Sequence, residues 1–204
     1  MSVTVRKPGI LTTVQDLGRT GYSRLGVNPS GVLDRSAARV LNVIVGNHEN
    51  AALLETHFPA VEIEFNSKQV ITVGGADFRP TLNGKEMLNW KVYSVSRGDV
   101  LKFRSKISGN RAYIAISGGF KVPQWLESSS TNLRASAGGV EGRALKSGDV
   151  IKIGRASFCK ALGGKAASPT ILPPYGMNPT VRVLDGPEGF LLTAQTKKLF
   201  TSSA

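Results

Sequence analysis

Short apolar runs separated by glycine and asparagine turns dominate the chain. Alternating or β-branched runs of this length predict strands, over residues 61–65, 70–73, 92–95, 100–103 and 112–116. Asn83-Gly84 predicts a two-residue hairpin, because a type I′ turn needs positive φ at both central positions. Many short strands at close spacing favour a mainly β fold in the form of a closed or nearly closed barrel.

One segment has helical periodicity instead. Its apolar stripe consists of Leu33, Ala37, Val40, Leu41 and Ile44. Its opposite, polar face consists of Arg35, Arg39 and Asn42. This spacing predicts one prominent amphipathic helix that ends near Gly46-Asn47. A second helix is predicted after Pro187, over residues 188 to 200.

Two similar segments, 97–103 and 147–153, each place a Gly-Asp turn before a short alternating strand. Lys102 and Lys152 take the outward positions of those strands. We interpret both lysines as solvent-facing rather than catalytic.

Glycine and proline divide the chain into three parts. We expect a barrel domain over residues 1–165, a Pro/Gly-rich linker over 166–179 and the start of further structure over 180–204. A strand is predicted over residues 180–184. The remaining residues are too few to complete a second core, so this part is truncated or completed by a partner.

The composition is that of a globular protein, with 204 residues, 41% of them hydrophobic and 20% charged. No apolar run approaches the roughly 20 residues that span a bilayer, and the first residues lack the apolar core of a secretory signal. We therefore expect no membrane association and a cytoplasmic location. Cys159 is the only cysteine, which excludes an intrachain disulfide and a cysteine-rich zinc site.

The net charge of +12 raises the question of nucleic-acid binding. The basic residues are scattered, with Arg6-Lys7 and Lys197-Lys198 as the adjacent pairs, and no aromatic-basic motif of an RNA-reading sheet is present. We expect no nucleic-acid partner. Attraction of small anions or of an acidic partner subunit is the alternative use of this charge.

Polar residues are concentrated between residues 7 and 55, where glycines allow sharp turns. They are Gln15, Asp16, Arg19, Ser30, Asp34, Asn42, Asn47 and Glu55. Core packing does not require this density, so function is expected here. Gln15, Asp16 and Arg19 are equally well explained by an ion-paired turn.

Asp34 has two interpretations. A carboxylate in the first turn of a helix stabilises it by about 0.3 to 1 kcal/mol through the helix dipole. Alternatively, Ser30, Gly31 and Asp34 form a polar cup that holds a small anionic or amide substrate at the helix N-terminus. Asp77, after Gly74-Gly75, either orients a ligand or caps a turn.

Several mechanisms lack their sequence signatures. The chain has no P-loop motif and no cluster with metal-ligand spacing. His48 and His57 are its only histidines, and neither lies in a recognisable nucleophile motif. We interpret His57 as a packed or turn histidine and Cys159 as a semi-buried small hydrophobe.

Ordered motifs cover most of the chain. They are TTVQDLGR at 12–19, GVxxSGxxD at 26–34, NxxVGN at 42–47, AxLE at 52–55, GGADF at 74–78 and SGGFKVP at 117–123. Together they resemble the bacterial family of the C-type 5-oxoprolinase subunit, which includes allophanate hydrolase subunit 2, Kip-type kinase-antagonist regulators and the carboxyltransferase part of urea carboxylase.

The resemblance implies a cyclophilin-like β-barrel with one prominent helix, followed by the start of a second, incomplete barrel-like half. It also implies one subunit of an ATP-dependent 5-oxoprolinase, with a Kip-inhibitor-like subunit and a lactam-utilisation subunit as partners. ATP would act at the level of the complex, and no cofactor site is evident in this chain. Alternatives are a Kip-type regulatory binding protein and a carboxyltransferase or allophanate-hydrolase-like domain.

Site residues carried over from the resemblance fall into two groups. Asp34 and Asp77 are the catalytic candidates, which position the substrate or a charged intermediate. The substrate-binding candidates are Ser30, Gly31, Asn42, Asn47, Glu55, Ser130 and Thr131.

One departure from the family pattern concerns residues 127–132. Where the family usually has GSRSTD, this chain has ESSSTN. Ser130 and Thr131 are kept, but glycine, arginine and aspartate are replaced by Glu127, Ser129 and Asn132, which changes local charge and backbone freedom.

Overall fold

The computed structural model describes residues 1–155, 164–172, 175 and 181–202. The chain divides into two compact units, Met1–Pro173 and Pro174–Ala204. Cys159 and parts of the predicted linker lie outside the described residues. In the described part of the chain, neither helix is long and apolar enough to cross a membrane.

Twelve strands are described in the first unit. They are β1 (Ser2–Lys7), β2 (Thr12–Gln15), β3 (Leu53–Thr56), β4 (Glu62–Phe65), β5 (Gln69–Asp77), β6 (Pro80–Leu82), β7 (Lys85–Glu86), β8 (Val92–Val95), β9 (Val100–Phe103), β10 (Ser108–Ile116), β11 (Phe120–Lys121) and β12 (Val150–Ile153). The predicted hairpin forms between β6 and β7, with φ of 51° at Asn83 and 81° at Gly84.

The strands form two antiparallel sheets. One has the order β11-β12-β1-β4-β9-β6-β7 and the other the order β2-β3-β10-β5-β8. The mainly β class with one prominent helix is thus confirmed. The closed form of the barrel is not, since each sheet ends in edge strands that do not pair with each other.

The main core lies between the two sheets. Val3, Ile63 and Leu101 contribute from the seven-stranded sheet, and Leu54 and Ile114 from the five-stranded one. Because side chains alternate along a strand, the residues on either side of Leu54 and Ile114 face the opposite surface of the five-stranded sheet. That second surface carries the helix and the site described below.

Helix α1 (Arg35–Ile44) covers part of this second surface. Ala37 and Leu41 pack with Leu53 and Tyr113 of the sheet in one cluster. Gly74 permits the close approach, since a Cβ there would lie 2.9 Å from Leu41 Cδ2. The helix contact therefore depends on a glycine in β5.

The faces of α1 differ from the prediction at two positions. Leu33 precedes the helix and is 68% exposed, whereas Asn42, assigned to the polar face, is 1% exposed. Asn42 is buried because its side chain donates to the carbonyl oxygens of Glu49 and Ala51 in the loop after the helix. A polar residue on the buried side is tolerated when its hydrogen bonds are made.

The second unit contains a 3-10 turn, Gly189–Leu191, and helix α2 (Ala194–Ser202), where the sequence predicts one continuous helix. The predicted strand is wrong for the described residues 181–184, which are irregular, and Leu184 is 96% exposed. Residues 181–202 contain no second strand that could pair with it, and an isolated strand is not stable. Two further 3-10 turns are Ser23–Leu25 and Pro169–Ile171.

Candidate functional site

A cleft of about 230 Å³ lies on the helix-bearing surface of the five-stranded sheet, at edge strand β2. Its walls come from the strands β2, β3 and β10, from the loop before α1 and from the segment after residue 130. The lining residues are Leu11, Thr13, Gln15, Asn28, Ser30, Gly31, Glu55, His57, Arg111, Thr131, Asn132, Leu133 and Arg134.

Strand alternation accounts for the floor of the cleft. Thr13 and Gln15 are two residues apart on β2, and Glu55 lies opposite Thr13 in the register of β2 and β3. Arg111 is two residues from Tyr113, which pairs with Glu55 across β3 and β10. The pleat therefore brings these side chains to one surface, while Val14 and Leu54 enter the core on the other.

Glu55 is the charged centre of the cleft and is 8% exposed. Its Oε2 accepts hydrogen bonds from the Leu33 backbone N–H and the Tyr113 hydroxyl, each at 2.9 Å. Its Oε1 lies 3.5 Å from Arg111 Nε. A buried carboxylate needs such partners, and they fix its orientation.

Tyr113 connects this carboxylate to the helix. Its hydroxyl donates to Glu55 and accepts the backbone N–H of Asp34 at 2.9 Å. Burial, and next the negative charge of Glu55, raise the pKa of Tyr113 far above its ordinary value of 10.0. The hydroxyl therefore remains protonated and continues to donate.

Gln15 supplies an unused acceptor. Its Nε2 donates to Thr13 Oγ1 at 3.0 Å and to the Thr131 carbonyl at 3.3 Å. Its Oε1 is buried and has no hydrogen-bond partner in the described structure. An unsatisfied buried acceptor is costly, so a donor from a ligand in the cleft would be stabilised there.

The loop before α1 forms one wall through unusual backbone conformations. Ser30 has φ of 51° and Gly31 of 90°. A Cβ on Gly31 would lie 2.7 Å from the Gly18 backbone nitrogen, so only glycine fits there. This contact fixes the loop against the turn that follows β2.

Asp16 holds the opposite wall in place. It is 4% exposed, and its carboxylate accepts hydrogen bonds from the hydroxyls of Ser128 and Ser130 and from the Ser129 backbone N–H. It also accepts from the Gly18 N–H at 2.8 Å. Residues 128–131 are consequently buried and held beside the end of β2.

Arg19 reinforces that wall. It is 3% exposed, donates from Nη2 to the Ser130 carbonyl at 2.6 Å and lies 4.7 Å from the centroid of the Trp125 ring. Burial lowers the pKa of Arg19, and the charge of Asp16 acts in the opposite direction. Asp16 and Arg19 thus do more than the predicted turn, because both bind a distant segment.

The structure brings four of the predicted substrate-binding residues together. Ser30, Gly31, Glu55 and Thr131 all line the cleft. Ser130 lies behind it, where its hydroxyl donates to Asp16 and accepts the Asp16 backbone N–H. These five come from three separate parts of the chain.

Asp34 does not line the cleft. It is the N-cap of α1, and its Oδ1 accepts the Ala37 backbone N–H at 2.9 Å. The nearby N–H groups of Leu33 and Asp34 are also bonded, to Glu55 and Tyr113. The helix N-terminus therefore does not offer the open set of N–H groups on which the polar-cup hypothesis depends.

Asn42 and Asn47 lie in the turn after α1, away from the cleft lining. Asn47 donates to the Ile116 carbonyl and accepts the Gly118 N–H, each at 2.8 Å, and it donates to Asn42 at 3.1 Å. Both side chains connect this turn to the end of β10. A direct role in substrate binding stays a prediction.

Asp77 ends β5, and its carboxylate accepts the Arg79 backbone N–H at 2.9 Å. It does not line the cleft. The space above the preceding glycines is filled by protein: Gly74 contacts Leu41 and Trp90, and a Cβ on Gly75 would meet the Tyr113 ring. Its catalytic role likewise stays a prediction.

Four lining residues are not assigned to the site by the sequence patterns. Those patterns indicate a turn residue at Gln15 and a packed histidine at His57, and they do not single out Arg111 and Arg134. The alternation Leu11, Thr13, Gln15 is the available signal for one of them. No sequence pattern connects it to Arg111, which reaches the site through β10.

In the described residues, no group of three or more His, Cys, Asp or Glu side chains could hold a metal ion. The polar groups of the cleft are a carboxylate, amides, hydroxyls, two guanidinium groups and one imidazole. Such a set can bind a small polar ligand that carries both amide and acidic groups.

Comparison with known proteins gives a consistent result. A family model described as the carboxyltransferase domain, subdomain A and B, matches residues 25–204. The chain is 37% identical over 140 residues to the C-type 5-oxoprolinase subunit of Haemophilus influenzae, covering 69% of this chain and 45% of that protein. It is 39% identical over 195 residues to urea amidolyase of Lachancea kluyveri, covering 91% of this chain and 11% of that protein.

A solved structure has the same fold. The crystal structure of the K. lactis urea amidolyase superposes with a TM-score of 0.80 at 36% identity, covering 87% of this chain and 11% of that one. The chain therefore spans less than half the length of each of these relatives.

Proposed function

Since the chain belongs to the carboxyltransferase-domain family, we propose that it is a subunit of an ATP-dependent 5-oxoprolinase, which hydrolyses 5-oxoproline to glutamate. The observation that carries this proposal is the cleft, which presents an unpaired buried acceptor, Gln15 Oε1, together with the guanidinium groups of Arg111 and Arg134.

The cleft is complementary to a lactam acid. The ring N–H of 5-oxoproline is a hydrogen-bond donor, and Gln15 Oε1 is an acceptor without a partner in the described structure. The carboxylate of the ligand requires a cation, and Arg134 is exposed at the rim while Arg111 is already close to Glu55. Arg134 is therefore the expected carboxylate anchor.

An amide is a poor electrophile, and transfer of the γ-phosphoryl group of ATP to the lactam oxygen, with release of ADP, would activate it. Water could then add to the ring carbon, the C–N bond would break with its electron pair on nitrogen, and hydrolysis of the phosphate ester would complete the reaction. The described residues contain no phosphate-cradling loop at the start of α1, which Asp34 caps. We therefore assign ATP to another subunit of the complex.

The proposed partners are a Kip-inhibitor-like subunit and a lactam-utilisation subunit. The basic surface of this chain, with net charge +12, is suited to an acidic partner face. Copurification of the three proteins, at low and at high salt, tests the assembly.

The activity test is ATP-dependent release of glutamate from 5-oxoproline by the reconstituted complex. Arg134→Ala should raise the KM for 5-oxoproline by about tenfold, because one charge-assisted contact is lost. Arg24→Ala removes another exposed arginine that does not line the cleft and serves as the control. Equal KM values for the two variants would contradict this placement of the substrate.

A second candidate function is that of a carboxyltransferase or allophanate-hydrolase-like domain acting on a urea-derived amide. The similarity to urea amidolyase, which extends over 91% of this chain, favours it. Supplying the same complex with urea or allophanate distinguishes the two. A Kip-type regulatory protein is the third candidate, and binding of a partner without turnover of any amide would favour it.

A further inference from the structure

A second cavity adjoins the cleft. It has a volume of about 290 Å³ and is lined by His57, Phe58, Phe78, Lys106, Asn110 and Arg111. His57 and Arg111 line both spaces, so the two share a wall. A ligand in the cleft therefore has a neighbouring compartment of comparable size on the far side of these two residues.

The lining of this second cavity is basic. Its charged members are Lys106 and Arg111, and no carboxylate belongs to the lining. Arg111 is partly neutralised by Glu55, whereas the Lys106 ammonium contacts an amide oxygen, that of Asn110. Among the described residues Lys106 forms no ion pair, so its charge is the one left to attract an anion.

A local irregularity of β10 places these groups. The register between β10 and β5 shifts between Ser108 and Ala112, which is the mark of a bulge. Gly109 has φ of 74°, and a Cβ there would lie 2.8 Å from Ala76 Cβ. The bulge therefore depends on glycine, and it sets Lys106 and Asn110 beside the outgoing Arg111.

Apolar residues form the remaining wall. Phe78 is fully buried, and its ring centroid lies 5.5 Å from that of Phe58. Aromatic rings on one side lower the local dielectric, which strengthens the attraction between the cations and an anion in the cavity. Cations, amide donors and an apolar wall together suit a compact anion with several acceptor oxygens.

We propose that this second cavity is a phosphate-binding subsite that receives the phosphoryl group of the activated lactam while the lactam ring occupies the cleft. This inference rests on the proposed function for the identity of the ligand. The lysine ammonium, the Asn110 amide N–H groups and the Arg111 guanidinium would donate to the phosphoryl oxygens. Lys106 is then a binding residue for a charge that forms during the reaction.

The test measures binding of inorganic phosphate to the full chain by isothermal titration calorimetry at constant ionic strength. Lys106→Ala should weaken phosphate binding by about tenfold or more, the loss expected for one charge-assisted contact. Asn110→Asp, which places a carboxylate beside the ammonium, should weaken it at least as much. Lys152→Ala removes an exposed lysine of β12 outside both cavities and should change nothing.

Two further titrations identify the source of the phosphoryl group. Acetate should bind more weakly than phosphate, and ATP should bind no more than about tenfold tighter than phosphate. Absence of phosphate binding, equal binding by the lysine variants, or tight Lys106-dependent ATP binding would each overturn the proposal. Phosphate binding is measured without turnover, so its result is separate from that of the glutamate-release assay.

Discussion

The hydroxyl of Tyr113 lies 2.9 Å from Glu55 Oε2 and 2.9 Å from the backbone nitrogen of Asp34. One side chain therefore connects the charged centre of the cleft to the first residue of the helix cap. The position of the carboxylate and the start of α1 are thus set by the same contact.

Tyr113→Phe should lower the free energy of unfolding by about 2 kcal/mol, since the Asp34 N–H loses the hydroxyl as its acceptor and Glu55 loses a buried donor. Chemical denaturation measures the change. Tyr93→Phe is the matched control, because that half-buried hydroxyl only accepts the Leu88 N–H at 2.8 Å. A cost equal to that of Tyr93→Phe would show that the Tyr113 bridge is not stabilising.

Replacement of Asp34 separates capping from catalysis. Asp34→Ala should cost about 1 kcal/mol of stability because the Ala37 N–H loses its cap, and Asp34→Asn should cost less because an amide oxygen can also accept. If the residue serves only the helix, the asparagine variant will keep the turnover of the assembled complex. A loss of about a hundredfold in turnover with an unchanged melting temperature would instead support a catalytic role.

Asp16→Asn should be among the most destabilising single changes at the surface of the cleft, by about 3 kcal/mol. The carboxylate accepts from two hydroxyls and two backbone N–H groups, and an amide nitrogen would face one of these donors. Asp99→Asn, in a half-buried turn where the carboxylate accepts from Asn83 and Ser96, is the control and should cost about 1 kcal/mol or less. Equal costs would refute the bridging role.

Asp149 makes stability depend on acid. The hydrogen bonds from Arg143, at 2.8 and 3.1 Å, lower the pKa of Asp149 below its ordinary value. Its contribution is therefore complete above the unfolded-state pKa of about 3.9 and is lost as the pH falls through the lower, folded-state pKa.

Asp149→Asn should accordingly be less stable than the parent chain at neutral pH, and the difference in melting temperature should narrow as the pH falls from about 5 to about 2. Thermal unfolding at a series of pH values checks this. A difference that stays constant over the whole series would mean that ionisation of Asp149 does not contribute.

Glu127→Gly should stabilise the protein. Glu127 is exposed and has φ of 60°, a conformation that costs a residue with a Cβ about 1 to 3 kcal/mol. Glycine relieves it at an entropic cost of about 0.5 to 1 kcal/mol, so the melting temperature should rise by a few degrees, about 2 to 4 °C. Glu86→Gly, on β7, should lower it instead, because that strand residue is not among those with positive φ.

Local patterns predict the local structure well. The runs at 92–95 and 100–103 are strands with those bounds, and Asn83-Gly84 is the turn of a hairpin. Strand periodicity and turn chemistry depend on neighbours in sequence, so they can be read from it. The closure of the sheets cannot, because it depends on which distant edge strands pair.

The site is predictable only in part. Glu55 and Ser30 lie in one motif-rich stretch, whereas Arg111 arrives through the pairing of β3 with β10, which no local pattern specifies. The serines at 128–130 resemble an exposed loop in composition, yet they are buried because Asp16 supplies the acceptor for their hydroxyls and N–H groups. A polar segment enters a protein interior when such a partner is present.

The alternation along β2 also determines how this protein can change. Thr13 and Gln15 face the cleft while Val14 faces the core, so substitutions at the first two positions can alter ligand preference and leave the packing between the sheets intact. Inserting one residue into the strand would exchange these surfaces, exposing the valine to the ligand and burying the amide among aliphatic side chains. Specificity in this fold is therefore free to diverge by substitution but not by a change in strand length.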